Sequence, residues 1–263
     1  MPELPEVESF RRYLADTSLR QNITSLEILD KKIIKCPETV LEETVVNQQF
    51  IDTERIGKYL FIHLSNAQVM LMHFGMTGSL EYFHSSSPKP KFSRVIFNYQ
   101  SGYSLSYIDP RKFGKIELGK SVADFKQQKK LSSDALLISQ EEFKQSLQKR
   151  KAPLKSVLLD QSVAAGVGNW IADEMMFQAL VHPLRKSNQL EINEIRALHQ
   201  KMKEILTLAI QFEAYYRDFP KHFLIHSRGW TDEEPQPCPH CQSQIQKIYV
   251  GGRATYFCEN CQI

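Results

Sequence analysis

The chain closes on Cys238-Pro-His-Cys241, sixteen further residues, and Cys258-Glu-Asn-Cys261. Two close cysteine pairs at that interval fit a hairpin that gathers four thiolates in a tetrahedron around one zinc ion. Cys238, Cys241, Cys258 and Cys261 fill all four corners, with His240 as an alternative donor, so no coordination position stays open for a reaction. The metal is therefore expected to be structural. The fifth cysteine, Cys36, stands alone and reads as a buried thiol; cysteines grouped this way point to metal in a reducing compartment and not to a disulfide framework.

Between the pairs lies Tyr249-Val-Gly-Gly-Arg253-Ala-Thr-Tyr-Phe257, whose two glycines suit a tight hairpin turn with Arg253 at its tip. A guanidinium on a rigid hairpin suits bidentate recognition of a phosphate. A solvated hairpin arginine is the plainer reading, and this stretch alone leaves both open.

The whole chain, 263 residues with 42% hydrophobic content, leaves room for a sizeable core and two domains. No apolar run approaches the roughly 20 residues of a membrane span, and the start lacks the basic and apolar regions of a secretory signal. A cytoplasmic protein is expected. The formal charge of +3 neither demands nor excludes a nucleic-acid partner. Locally the balance is sharper: in residues 109–130, Arg111, Lys112, Lys115, Lys120, Lys126, Lys129 and Lys130 face only Asp109, Glu117 and Asp124. That is either a binding surface or an ordinary solvated one.

Val7, Phe10 and Leu14 share one helix face, predicting a leading helix over residues 5–19. Residues 23–118 then break into short strand-like runs, among them 59–64, 68–73, 94–98 and 103–107, separated by Gly, Ser, Pro and Asn. Many short strands imply a sandwich or a barrel. Beyond Lys120 helical patterns follow over 125–131, 140–148, 154–161, 169–180 and 190–216, with 149–153 as a plausible boundary. The class is α+β.

Two further stretches carry chemistry. Gln161-Ser-Val-Ala-Ala-Gly166-Val-Gly168-Asn169-Trp-Ile-Ala-Asp173-Glu174 reads as a glycine-rich turn feeding a helix, a variant of helix-turn-helix. Asn169 suits the N-cap, the exposed N–H groups form an anion site, and Lys155 is a candidate helper; an ordinary connection between packed helices has the same pattern. At the start, Met1-Pro2-Glu3-Leu4-Pro5 places proline after the initiator. Removal of Met1 would expose a secondary amine at Pro2 with a reference pKa of about 8, nucleophilic near neutral pH and able to form an iminium with an aldehyde-like carbon. Glu3 can move protons beside it and Lys58 offers a second amine, although each taken singly has a plain structural reading.

Together, PELPEVE at the start, GKYL around Lys58, HFGMTGSL at 73–80, DPRKFG at 109–114, AGVGNWIADE at 165–174 and GGRATYFCENCQ at the end resemble the bacterial formamidopyrimidine-DNA glycosylases. The resemblance spans nearly the whole chain in order. It implies an N-terminal β-sandwich catalytic domain with a leading helix (1–130), a helical domain with a helix-two-turn-helix (131–232) and a zinc finger (233–263). The implied partner is damaged double-stranded DNA, met by a monomer with one structural zinc, no small-molecule cofactor and no membrane, in the cytoplasm at the nucleoid.

Residue by residue, the resemblance makes Pro2 the nucleophile, Glu3 the proton donor and later acid/base, and Lys58 an aid to β-elimination. Arg253 and Asn169 would hold the phosphates flanking an everted nucleotide, Arg253 also serving δ-elimination. Met76, Arg111 and Phe113 match the family's residues that enter the vacated stack. Arg94 stands where the family commonly has a DNA-contacting histidine, and Lys112, Lys155 and Arg94 complete the expected DNA contacts. Residues 215–230 depart from the long glycine-containing loop of family members that enclose 8-oxoguanine. Ring-opened purines, hydantoins or oxidised pyrimidines, the last as in the sister endonuclease VIII, are therefore alternative substrates, and a non-catalytic DNA-binding module is the alternative from another class.

Overall fold

The computed structural model describes residues 1–229 and 234–263. They form two compact units, Met1–Pro2 with Glu6–Lys129, and Glu3–Pro5 with Lys130–Ile263. Trp230, the last residue of the departing stretch, lies outside the described residues.

In the first unit, α1 (Leu4–Ser18) leads into β1 (Ile23–Ile28), α2 (Glu38–Val45), β2 (Phe50–Ile56), β3 (Tyr59–Leu64), β4 (Val69–His73), β5 (Ser79–His84), β6 (Ser93–Tyr99), β7 (Tyr103–Ile108), β8 (Lys115–Gly119) and α3 (Val122–Gln128). The strands make two antiparallel sheets, β1-β6-β7-β5 and β2-β3-β4-β8. One core joins them: Leu60, Ile62, Leu64, Met70 and Met72 from the second sheet meet Ile23, Val95, Phe97, Leu105 and Tyr107 from the first, with Val7 and Leu14 of α1. The expected sandwich is therefore present.

Phe61, Val69 and Leu71, on the other face of β3 and β4, are buried as well, packed with Phe125 of α3. A strand covered on both faces loses its polar alternation, and this is why 59–64 reads as a continuous apolar run. Ile56 pairs with Tyr59, leaving Gly57 and Lys58 as a two-residue hairpin turn with Gly57 at φ +59°.

The second unit holds α4 (Gln140–Gln148), α5 (Leu154–Leu158), α6 (Asn169–Gln178), α7 (Ile192–Gln211), β9 (Gln246–Val250) and β10 (Arg253–Phe257). Helix α6 is its axis: residues 170–177 are all buried, and Trp170, Ile171, Met175 and Met176 pack with Ile195, Leu198, Met202 and Ile205 of α7. Strands β9 and β10 pair around Gly251 (φ +56°) and Gly252 (φ +73°), the left-handed pair that a two-residue turn requires. No helix among the described residues is long and apolar enough to cross a membrane.

Several helix ends differ from the pattern-based expectation. Helix α3 starts at Val122, capped by Ser121, and ends before Lys130, which sits at φ +51°. Helix α5 stops at Leu158, α6 stops at Gln178 with Leu180 at φ +59°, and α7 gives way at Glu213 (φ +50°) and Ala214 (φ +60°). Apolar residues continue past these stops, and several of them, Leu180, Phe212 and Tyr215, are exposed, so apolar spacing does not mark the ends. Residues 149–153 are not a boundary: Pro153 bridges to Lys186, and Ser187 N–H donates to the Ala152 carbonyl inside the second unit.

Residues 215–229 fold onto α6 through two short 3-10 turns, Tyr216–Asp218 and Leu224–Ser227. Phe219 and Tyr216 lie against Trp170, each with ring centroids 5.6 Å away, and Phe219 also meets Phe223. Beneath them the wholly buried Glu174 accepts N–H bonds from Leu224 and Ile225, both 3.1 Å, and from the Gln178 amide. Burial pushes its carboxyl up from 4.5 to about 7, against the pull of those donors. The folded protein thus binds this proton more tightly than the unfolded chain does. The associated stability is complete below about pH 4.5 and is lost as pH rises through about 7. Between those values the melting temperature of the wild type should fall more than that of Glu174→Gln; parallel curves would contradict this.

Candidate active site

Glu3 is the sequence's second residue after the initiator, yet it is buried at the start of α6. Its Oε1 accepts the Trp170 N–H at 3.0 Å and its Oε2 the Ile171 N–H at 3.3 Å, while Leu4 N–H donates to the Gly166 carbonyl at 3.3 Å. Two orphan donors of the helix are satisfied by a carboxylate, an arrangement the helix dipole also favours. The glycines permit the approach: a Cβ on Gly168 would lie 2.0 Å from the Glu3 Cδ, and one on Gly166, at φ +112°, 2.5 Å from Leu4.

This geometry corrects the expectation for Asn169. The N-cap is Gly168, and Asn169 is the first helical residue. Its amide Nδ2 donates to the Ala254 carbonyl at 3.0 Å, whereas its Oδ1 is buried with no partner among the described residues. The anion seat at this helix start is taken by Glu3, supplied by the chain itself.

Lys155 also departs from expectation. Its side chain is fully buried, and Nζ donates to the Asn169 carbonyl (2.7 Å) and to Asp173 Oδ1 (2.6 Å). Asp173 Oδ2 meets the Tyr256 N–H at 3.4 Å and Arg228 at 3.6 Å. Burial draws Lys155 down and Asp173 up, and each charge restrains the other's shift. Lys155 therefore ties α5 to the start of α6, and Asp173 carries the link on to the finger, instead of Lys155 presenting a charge to solvent. Asp173 carries one signal in the sequence, an acidic pair with Glu174 set inside the apolar run of α6.

In the finger, Cys238, Cys241, Cys258 and Cys261 bring their Sγ atoms within 4.8 Å of one another. Cys238 to Cys261 measures 3.9 Å and Cys241 to Cys258 3.5 Å. Tetrahedral zinc with bonds of about 2.3 Å needs sulfur–sulfur edges of about 3.8 Å, so the four thiolates fit one structural ion. His240 is not among them; its ring stacks on Phe177 at 4.6 Å. Arg253 opens β10 beside the Gly-Gly turn and is exposed.

The first unit carries Pro2, half-buried, and Lys58, buried in the turn between β2 and β3. It also carries a small exposed platform of Met76, Arg111 and Phe113, with the Arg111 guanidinium 5.2 Å from the Phe113 ring centre. Asp109 builds it. Wholly buried, this carboxylate accepts from Thr77 Oγ1 (3.0 Å), Arg111 N–H (3.2 Å) and Gly114 N–H (2.7 Å), binding the two loops to each other. Gly75, at φ +57°, lets those loops touch, since a Cβ there would meet the Phe113 backbone at 2.5 Å.

Arg94 and Lys112 buttress the same turn. Arg94 Nε donates to the Asp109 carbonyl at 2.8 Å and Nη2 to the Pro110 carbonyl at 3.3 Å, and Nη1 lies 3.6 Å from Asp30. Lys112 pairs with Asp30 at 2.5 Å, and that hydrogen bond holds the Asp30 carboxyl below its usual range. His73 accepts the Gly75 N–H on Nδ1; burial, with the Lys115 and Lys58 charges, lowers it to about 4, so it is neutral at pH 7.

Comparison with known proteins agrees along the whole chain. Residues 1–116 match the formamidopyrimidine-DNA glycosylase N-terminal domain, 131–219 its H2TH domain, and 236–263 the zinc finger found in FPG and IleRS. The formamidopyrimidine-DNA glycosylase of Pelotomaculum thermopropionicum is 36% identical over 278 positions, covering 100% of this chain and 99% of that protein. That of Streptococcus mutans is 35% identical over 275 positions, with the same coverage. Among solved structures, the Lactococcus lactis enzyme bound to DNA with an AP site superposes with a TM-score of 0.90 at 29% identity, 99% of each chain being covered. MutM in complex with DNA carrying carbocyclic 8-oxo-G gives 0.89, also at 29% identity and 99% of each chain.

A sandwich, an H2TH domain and a four-cysteine finger together define a DNA glycosylase of base-excision repair. The chain belongs to the formamidopyrimidine-DNA glycosylase family.

If Gly168 is glycine because Glu3 lies against it, Gly168→Ala should cost about 1–2 kcal/mol by displacing the cap. In a Glu3→Ala background the same substitution should cost much less. Chemical denaturation of the four proteins checks this, and an equal cost in both backgrounds would refute the steric account.

Proposed function

We propose that this protein excises oxidised purines from duplex DNA and then cuts the strand, acting through a covalent intermediate on its own amino terminus. With Met1 removed, the Pro2 nitrogen attacks C1′ of the damaged nucleotide, the bond from C1′ to the base breaks, and the base leaves with a proton. Opening of the sugar gives an iminium between Pro2 and C1′, which acidifies the C2′ hydrogen. Loss of that proton expels the 3′ phosphate, and a second elimination expels the 5′ phosphate. Glu3 serves the proton transfers, and Lys58 assists the eliminations.

One observation carries this reading above the others: Glu3 is fastened by both carboxylate oxygens to the first N–H groups of α6. A carboxylate so held has one orientation, and Pro2 is its covalent neighbour. A freely waving terminus would not need a helix start and two glycines to receive it.

Arg253 and the Asn169 turn, tied together through the Ala254 carbonyl and the Lys155–Asp173 pair, are the proposed phosphate holders. Asn169 then trades its finger bond for a phosphate, and Lys155 acts by support. Met76, Arg111 and Phe113 fill the stack left by an extruded base, with Asp109, Arg94 and Lys112 stiffening their loops. A single chain carries every group required, and the substrate places the work on chromosomal DNA in the cytoplasm.

Relatives named for formamidopyrimidine support a purine substrate, and Lactococcus lactis complexes hold DNA containing Fapy-dG. Residues 215–229, packed on Trp170 and bonded to Glu174, stand in place of the long glycine-containing loop expected of members that enclose 8-oxoguanine, and on that departure ring-opened purines rank above 8-oxoguanine for this chain. In single-turnover assays, FapyG duplexes should be processed faster than 8-oxoguanine duplexes; exclusive excision of 8-oxoguanine would reject that ranking. An uncleavable extension ahead of Pro2 should lower cleavage at an abasic site by roughly two orders of magnitude or more while duplex binding persists. Unimpaired cleavage by the extended protein would overturn the Pro2 assignment.

A further inference from the structure

A charged cluster in the first unit has no part in the chemistry so far assigned. Glu8, on the second turn of α1, is 9% exposed and receives three guanidinium groups. Arg11 donates from Nε (3.0 Å) and Nη2 (2.7 Å), Arg12 from Nε (3.1 Å) and Arg55 from Nε (3.2 Å). Burial alone would raise the Glu8 carboxyl, but hydrogen bonds and charge from Arg11, with Arg55 and Arg12, hold it below the usual range.

Arg11 and Arg12 need no special explanation, for they follow Glu8 by three and four residues on one helix face. Arg55 is different. It comes from β2, its side chain is only 7% exposed, and its fork is divided: Nε goes to Glu8, while Nη1 donates to the Gly57 carbonyl at 3.0 Å. That carbonyl belongs to the peptide whose nitrogen is Lys58, in the two-residue turn where Gly57 takes φ +59°. One guanidinium therefore fixes the plane of the peptide from which Lys58 projects, and Glu8 fixes the guanidinium.

We propose that Glu8 and Arg55 are positioning residues for Lys58, linking the helix that follows Pro2 to the peptide plane that aims the Lys58 amine. This rests on the reading of Lys58 given above. A lysine stem has four rotatable bonds, so its terminal amine is placed only if its root is rigid and its path enclosed; Lys58 is itself buried, at 7% exposure. Misplacement of a reacting group by about 1 Å can cost roughly a hundredfold in rate. Lysine cannot replace Arg55, because a single ammonium does not reproduce a planar fork that spans a carboxylate and a carbonyl.

The experiment uses full-length protein with Arg55→Lys, Arg55→Gln or Glu8→Gln, each alone and combined with Lys58→Ala. Three quantities are read: the melting temperature, the Kd for a duplex with a tetrahydrofuran abasic analogue, and the single-turnover rate of cleavage at a true abasic site. Arg55→Lys and Glu8→Gln should slow cleavage roughly 10- to 100-fold with Kd within about twofold of wild type, and should add less than about twofold to Lys58→Ala. Arg55→Lys keeps the charge, so it remains informative if Glu8→Gln fails to fold. Wild-type rates, losses that multiply with Lys58→Ala, or losses that track the melting temperature would each overturn the proposal. A slow Lys58→Ala beside a normal Arg55→Lys refutes positioning alone; a normal Lys58→Ala refutes the role of Lys58 itself, and the proposal with it.

Discussion

Two hydrogen bonds, from the Trp170 and Ile171 N–H groups to the Glu3 carboxylate, are the constraint on which the architecture around the start of α6 depends. They join the third residue of the chain to residues more than 160 positions later. They also require that Gly168 lack a side chain, that Gly166 adopt a left-handed backbone, and that Leu4 enter the helical core beside Trp170. A helix start that looks ready for a ligand phosphate is in fact closed by the chain's own acid. The carboxylate proposed to move protons is thus also the one that caps the helix.

Buried polar groups organise the rest of both units in a similar way. Asp109 ties two loops of the first unit with three hydrogen bonds, and the Lys155–Asp173 pair ties the α6 turn to β10 in the second. Such groups add little net stability when compared with apolar substitutes, but each is costly to break singly because the survivor is stranded in a low dielectric. Their yield is geometry: exposed Met76, Arg111 and Phe113 stand on loops that cannot drift apart, and Arg253 stands on a finger secured at several points. Gln262 adds to that security, accepting the Cys258 N–H and donating to the Val181 carbonyl.

Local features were legible in the sequence where one local cause dominates. Cysteine spacing foretold the zinc cluster, the Gly251 and Gly252 pair foretold the hairpin, and the doubly covered strand 59–64 declared itself by its apolar run. Residues whose role is set by a distant partner were not legible. Asn169 has the chemistry of an N-cap, but Glu3 takes that task; Lys155 has the chemistry of a phosphate ligand, but Asp173 draws it inside. Helix ends were not legible because they close without glycine: left-handed Leu180 lets the Val181 N–H reach the Met176 carbonyl, and left-handed Glu213 and Ala214 let the Ala214 N–H reach the Ala209 carbonyl.

The central claim, that chemistry begins at the amino terminus anchored by Glu3, is tested most directly by borohydride reduction on a duplex with an abasic site, followed by mass-spectrometric mapping of the adduct. The expected result is one stable cross-link on the Pro2 nitrogen, absent from a protein whose start is blocked. A cross-link on Lys58 or another lysine, or no cross-link from zinc-loaded protein that still binds the duplex, would contradict it.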